Sequence, residues 1–306
     1  MKKIKVGIPR ALLYYRYGVL WKTFFELLGC NVVLSPETNK QILELGVNNT
    51  IDECCLSYKI YVGHVLYLSK ICDYILIPRV CDYGKKDKVC TRFNGIYDDI
   101  KYKIPTSQIL DYNTEYTKLK FPILGFIKIG FKFSKNIVKI IHSYYKAKNK
   151  QKIHNINGAN TEKNKLSKPN KKILILSHFY NIQDKFISKY ITDYLEFNNI
   201  IPIYSNKLNK KLTKEFSQYF SNTLYWKYSK EMIGSLYYTK NMIDGIIFIS
   251  TYPCGIDSLV NNLAILKNKD IPILNLVIDE NITDLSLETK LESFIDILNQ
   301  QGGKNE

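Results

Sequence analysis

The chain has 306 residues, 45% of them hydrophobic, and a formal net charge of +16. That length exceeds what one core usually organises, so one large or two medium domains are predicted, with enough apolar side chains for substantial cores. Seven scattered cysteines, an odd number, argue against a disulfide framework and for reduced or metal-bound thiols in a reducing compartment. No apolar run approaches the ~18 residues of a membrane span. Met1-Lys2-Lys3 leads straight into the alternating pattern Ile4 to Ile8 without a signal peptide. A soluble, cytoplasmic protein is predicted.

In chain order, Lys3 to Pro9 reads as a strand and Ala11 to Leu28 as a helix that Gly29 ends. Asn31 to Leu34 is a second strand and Asn39 to Leu45 a short helix. Asp52-Glu53-Cys54-Cys55 then leads into the helical pattern Ile60 to Leu68, which contains Gly63 and His64. The continuous apolar run Asp73 to Pro78 suits a buried parallel strand, and Arg79 to Cys90 reads as a loop. Strand-helix alternation of this kind predicts a parallel sheet covered by helices.

The charge belongs to one region. Between Lys118 and Lys172 stand 15 lysines and one acid, Glu162, so this segment carries +14 and leaves +2 for the rest. Phe121 to Ala147 reads as an amphipathic helix or helix pair. Lys148 to Asn170, rich in Asn, Lys, Gly and Ser, reads as an exposed flexible linker. A solvated basic linker is one reading; docking to an acidic partner, an acidic membrane surface or nucleic acid is the other. No repeated aromatic-basic platform is present, which argues against nucleic acid.

Beyond the linker the alternation restarts with a strand over Lys172 to Ser177, its terminal loop His178-Phe179-Tyr180-Asn181, and a helix over Asp184 to Phe197. A strand over Ile200 to Tyr204 and helices over Lys214 to Phe220 and Ser229 to Lys240 follow. Gly245 to Ser250 is a strand, and Thr251 to Ser258 turns through Pro253-Cys254-Gly255 into a helix over Leu259 to Leu266. A strand over Ile271 to Ile278 and a helix over Leu287 to Gln300 close the pattern. The boundaries are therefore an α/β domain at 1–117, a basic helix and linker at 118–170, a second α/β domain at 171–300 and a tail at 301–306. A ligand site is predicted in the cleft where the strand ends of the two halves face each other.

Cys254 falls at a strand's carboxyl end beside a helix N-terminus, where amides and the helix dipole stabilise a thiolate; it also reads as a small packed side chain. Cys55 and Cys90 are likewise loop residues beside strand ends or helix starts. Three thiolates suit one iron-sulfur cluster, and with a further ligand they suit zinc. His64 reads as a packing residue. His178 and Tyr180 read equally as substrate contacts and as loop caps, and Asp279-Glu280 as an acid-base or cation-binding pair or as helix-capping or solvated residues. The phosphate-binding and dinucleotide-binding glycine motifs are absent from the sequence.

Val6-Gly-Ile-Pro-Arg-Ala-Leu12, Leu20-Trp-Lys-Thr-Phe-Phe25, Asp52-Glu-Cys-Cys-Leu56, Gly63-His64, Ile77-Pro-Arg79, Cys90, Ser177-His178 with Tyr180-Asn181, Pro253-Cys-Gly255 with Asp257-Ser258, and Glu292-Ser-Phe294 stand in one order along the chain. Together they resemble the stand-alone relatives of 2-hydroxyacyl-CoA dehydratase and benzoyl-CoA reductase subunits, which are linked to CoA-substrate-specific enzyme activases. The resemblance implies two Rossmann-like α/β domains around a 4Fe-4S cluster held by Cys55, Cys90 and Cys254, with Cys30 in the core and no counterpart for Cys54, Cys72 and Cys81. It implies an ATP-dependent activator as electron donor and a homologous partner subunit. It also implies an acyl-CoA substrate whose thioester takes one electron, becoming a ketyl radical that loses hydroxide. Lys59, Arg79, the Gly255 amide, His178 and Tyr180 become candidates for groups that tune the site. The chain departs from the family at Thr91-Arg92, Ser57, Ile256 and the closing Ser286 to Lys290, positions that spare the thiols and touch substrate binding. A non-catalytic electron carrier or accessory subunit and a zinc-stabilised binding protein remain the alternatives.

Overall fold

The computed structural model describes residues 3–281 and 283–302; Met1 and Lys2 of the start and residues 303–306 of the expected tail lie outside them. The chain divides into two compact units, Met1–Asn155 with Tyr225–Lys227, and Ile156–Leu224 with Tyr228–Glu306.

The first unit contains β1 (Lys5–Ile8), α1 (Tyr14–Leu27), β2 (Asn31–Leu34), α2 (Lys40–Val47), α3 (Leu56–Ser69), β3 (Tyr74–Leu76), β4 (Arg79–Asp82), α4 (Thr91–Ile100), β5 (Ile109–Leu110), β6 (Asn113–Glu115), α5 (Pro122–Gly130) and the start of α6 (Ile137–Leu166). Its main sheet runs β2-β1-β3-β5, all parallel, beside a parallel pair of β4 and β6. Gly29 at φ +93° ends α1, and the Cys30 N–H bonds back to the Phe25 carbonyl, a left-handed stop that a side chain would strain. The core packs Phe24 edge-on against Phe126 at 4.7 Å, and the Trp21 indole N–H donates to the Tyr112 hydroxyl at 3.0 Å.

The second unit contains β7 (Lys172–Leu176), α7 (Phe179–Gln183), α8 (Lys185–Phe197), β8 (Ile201–Tyr204), α9 (Lys210–Phe216), α10 (Lys227–Thr239, after its first residue), β9 (Gly245–Thr251), α11 (Gly255–Lys267), β10 (Ile273–Ile278) and α12 (Asp284–Gly302). Its sheet runs β8-β7-β9-β10, again all parallel. β9 is buried at every position, as a parallel central strand between helical layers should be. Each unit thus sets its first strand between its second and third, the doubly wound order of Rossmann-like domains, in which ligands bind beyond the strands' carboxyl ends where the order reverses.

Three readings change. The stretch Lys148 to Asn170 is helical through Leu166, not a flexible linker, because α6 spans 30 residues. Its one interior glycine is Gly158, no proline interrupts it, and Pro169 follows its end; its lysines, Gln151, Ala159, Glu162 and Leu166 favour the helix against the asparagines between them. Anchors hold it on both sides of its middle. The Leu20 N–H donates to Gln151 Oε1 at 3.0 Å in the first unit. In the second, the buried carboxylate of Glu162 accepts the Tyr204 N–H at 2.8 Å. Arg79 to Asp82 is a strand within the expected loop, paired with β6, and Thr91–Ile100 is a helix. Phe121 to Ala147 resolves into the helix pair α5 and α6. Among the described residues no helix is long and apolar enough to cross a membrane.

Candidate functional site

In the first unit Cys55 and Cys90 occupy equivalent places: each has extended backbone and is the residue immediately before a helix, α3 and α4 respectively. Both thiols are half-buried. The two helix starts lie side by side, since the guanidinium of Arg92, two residues past Cys90, sits over the ring of Tyr58, three past Cys55, at 5.4 Å. The Tyr58 hydroxyl donates to Asp99 Oδ2 at 2.6 Å, joining the same two helices. The Lys59 N–H donates to the Cys55 carbonyl at 3.1 Å, and its side chain is buried on α3. Arg79 pairs with Asp111 at 2.8 Å and lies over the Tyr97 ring at 4.8 Å, so its charge is committed to α4 and the β5–β6 turn.

The loop that carries Cys90 is pinned by Asp82. This buried carboxylate accepts from Thr117 Oγ1 (2.6 Å), the Thr117 N–H (3.1 Å), the Gly84 N–H (3.0 Å) and Lys88 Nζ (3.0 Å). Burial works against its charge, but these donors prevail and hold its pKa at about 2. Its contribution is therefore complete above the ordinary carboxylate range and lost as pH falls toward about 2. Asp82→Ala is expected to cost about 3 kcal/mol, measured by chemical denaturation, and to speed hydrogen exchange at the Gly84 and Thr117 amides.

In the second unit, Cys254 precedes α11 as Cys55 and Cys90 precede their helices, at the carboxyl end of β9. A Cβ built on Gly255 would meet nothing within 4 Å, so space is open on the side of the residue where a side chain would stand. His178 occupies the corresponding position before α7, at the carboxyl end of β7, and Tyr180 stacks on its ring at 5.1 Å. His178 Nε2 lies 2.8 Å from Asp257 Oδ1, both residues buried. This pairing was not read from the sequence, where Asp257 stood in the turn leading into that helix. Asp279 accepts the Asn281 N–H at 2.9 Å, a turn contact within its own loop.

The family model described as CoA enzyme activase uncharacterised domain (DUF2229) matches residues 5–221. The chain belongs to that family. No curated protein matches it. Among solved structures, the chain aligns at 11% identity and a TM-score of 0.28 with the SBP FpvC in complex with Ni2+ from P. aeruginosa, over 97% of this chain and 96% of that one. It aligns at 11% identity and a TM-score of 0.21 with a carbohydrate transporter from Acidothermus cellulolyticus 11B in complex with myo-inositol, over 91% of this chain and 74% of that one. Likenesses this weak bear on neither fold nor ligand.

In this member of the activase-domain family the seven cysteines fall into groups. Cys30 and Cys72 are buried, and burial pushes both thiols up to about 11, so they stay protonated as core side chains. Cys54 is buried. Cys81 is held up by burial and then by Glu115. Cys55, Cys90 and Cys254 alone combine partial exposure with a helix start, and three such thiols match the sulfur-rich donor set of an iron-sulfur cluster. Among the described residues no group of three or more His, Cys, Asp or Glu side chains is gathered as for a metal ion.

His64 is a packing residue, as its sequence context indicated. It is fully buried on α3, its Nε2 meets Thr38 Oγ1 at 3.0 Å, and burial, aided by the Arg10 charge, lowers its pKa to about 3. Below the ordinary histidine value the unfolded chain takes up a proton that the folded chain refuses. Stability is therefore expected to fall by about 1.4 kcal/mol per pH unit from about 6.5 toward about 3 on this account. Denaturant titrations of wild type and His64→Gln across that range isolate the slope, which the variant lacks.

Proposed function

We propose that the chain is an iron-sulfur protein of the 2-hydroxyacyl-CoA dehydratase and benzoyl-CoA reductase type, which takes low-potential electrons from an ATP-dependent activator. The observation that supports this reading most directly is the shared setting of Cys55, Cys90 and Cys254, each half-buried and each leading into a helix, in a chain of the activase-domain family. When bound, a 4Fe-4S cluster supplies one-electron chemistry at low potential. Cys55, Cys90 and Cys254 would hold it. At each, the first amides of the following helix and its dipole favour the thiolate over the thiol. The Arg92 guanidinium adds positive charge beside the starts of α3 and α4, and nearby positive charge raises a cluster's potential. The substrate in this reading is an acyl-CoA thioester. The test is anaerobic mixing of the protein with an ATP-hydrolysing activator and a 2-hydroxyacyl-CoA. ATP-dependent bleaching of the visible absorbance with loss of the hydroxyl is the expected result; bleaching without turnover assigns an electron carrier, and no ATP-dependent reduction rejects the proposal.

A further inference from the structure

The second unit holds a cluster of buried polar atoms that its own fold leaves unsatisfied. His178 ends the first strand of this sheet, β7, and Asp257 lies in the first turn of the helix after β9, the neighbouring strand. The switch in strand order falls between these two strands, where doubly wound sheets bind their ligands. His178, Asp257 and Asn261 are 6%, 1% and 2% exposed. His178 Nε2 is 2.8 Å from Asp257 Oδ1, a close contact that does not meet hydrogen-bond geometry. Both Asp257 oxygens, His178 Nδ1 and Asn261 Oδ1 are thus buried with no hydrogen-bond partner.

Asp257 and Asn261 are four residues apart on α11 and so share one face. A buried carboxylate without donors is costly, and native folds rarely keep one except where it serves a ligand or a reaction. The helix dipole at the first turn of α11 offsets part of that cost without supplying a donor. The unmet groups are predominantly acceptors, so what completes them must bring N–H or O–H hydrogens. The Tyr180 ring, half-buried and stacked on His178 at 5.1 Å, covers the imidazole on one face.

We infer that His178, Asp257 and Asn261 form a recognition site for a small amine- or hydroxyl-bearing molecule, with Asp257 and Asn261 accepting its hydrogens and Tyr180 stacked on the imidazole. This inference does not depend on an iron-sulfur cluster, because it rests on groups that no thiol is needed to complete.

The experiment follows the ring nitrogens of His178 by long-range proton-nitrogen correlation in the full-length protein, with His178→Gln to assign the signal among the four histidines. Ethanolamine and ethane-1,2-diol are the donor probes, and acetate, which brings acceptors only, is the counterpart. Saturable movement of the His178 signals by at least one donor probe is expected, with none by acetate. The apparent affinity should fall at least tenfold in both Asp257→Asn and Asn261→Ala. Using both variants keeps the test open should one of them fold poorly. Signals that respond to neither donor probe, that respond equally to acetate, or that respond as strongly in both variants as in wild type would overturn the assignment.

Discussion

Cys55→Ser, Cys90→Ser and Cys254→Ser are each expected to reduce the iron retained after anaerobic reconstitution from about four ions per chain to below about one, whereas Cys30→Ser, Cys72→Ser and Cys81→Ser retain it. The separation follows from the setting of each thiol. A cluster binds thiolates, and the free energy of deprotonating a ligand is part of its binding. Burial lifts Cys30 and Cys72 to about 11, so at neutral pH ionising either costs about 5 kcal/mol, and neither precedes a helix. Cys81 is likewise held up by burial and Glu115, with its sulfur against Asn94. Cys55, Cys90 and Cys254 each stand where a helix's unpaired amides begin. Total iron, acid-labile sulfide and the visible spectrum read the outcome, and far-UV circular dichroism separates loss of the cluster from loss of the fold. Iron retention that is indifferent to Cys254 would remove the second unit from the site.

Gly63→Ala and Gly46→Ala are expected to destabilise the first unit by ~3 kcal/mol or more, at the upper end of what overpacking costs. Helices α2 and α3 meet backbone to backbone. A Cβ on Gly46 would stand 1.9 Å from the Lys59 carbonyl oxygen, and one on Gly63 would stand 2.0 Å from that of Ile42. The obstacle in both cases is main chain, which cannot swing aside as a side-chain tip can, so a methyl group must part the helices and with them the layer containing Ile42, Leu43 and Ile60. Because Cys55 immediately precedes α3, the same displacement disturbs the first proposed ligand, and iron retention should fall with stability. Gly95→Ala provides the opposite sign. That glycine is exposed within α4 with nothing within 4 Å of an added Cβ, so alanine should gain about 0.5–1 kcal/mol through helix propensity. Chemical denaturation of the three variants measures all of these.

The parts of the fold that burial dictates were legible in the sequence. Asn31–Leu34, the helix that Gly29 stops and the run through β9 carry the period and punctuation of their elements; the four strands of the second sheet follow from the alternation, whereas the two-residue β5 of the first was too short to read. What the sequence hid has identifiable causes. β4 sits inside a segment of charge and cysteine, because its pairing with β6 depends on residues more than thirty positions away. Helix α4 opens with Thr91-Arg92-Phe93-Asn94-Gly95, a start poor in helix formers that tertiary contacts outweigh, among them buried Phe93 and Ile96. The lysine-rich half of α6 looked disordered because composition was weighed above the absence of breakers. Of the candidate site, Cys254 was legible as a residue beside a helix start, whereas the helix that follows Cys90 was not. The His178–Asp257 contact was not, since strand adjacency and not sequence spacing brings those residues together.

Metal analysis of the wild-type chain reads out, without any variant, whether Cys55, Cys90 and Cys254 carry an iron-sulfur cluster. Purified and reconstituted without oxygen, the protein should be brown, with about four irons and about four acid-labile sulfides per chain and a reducible signal in electron paramagnetic resonance. A colourless chain that stays iron-free under those conditions, or one that holds about one zinc instead, would contradict that assignment.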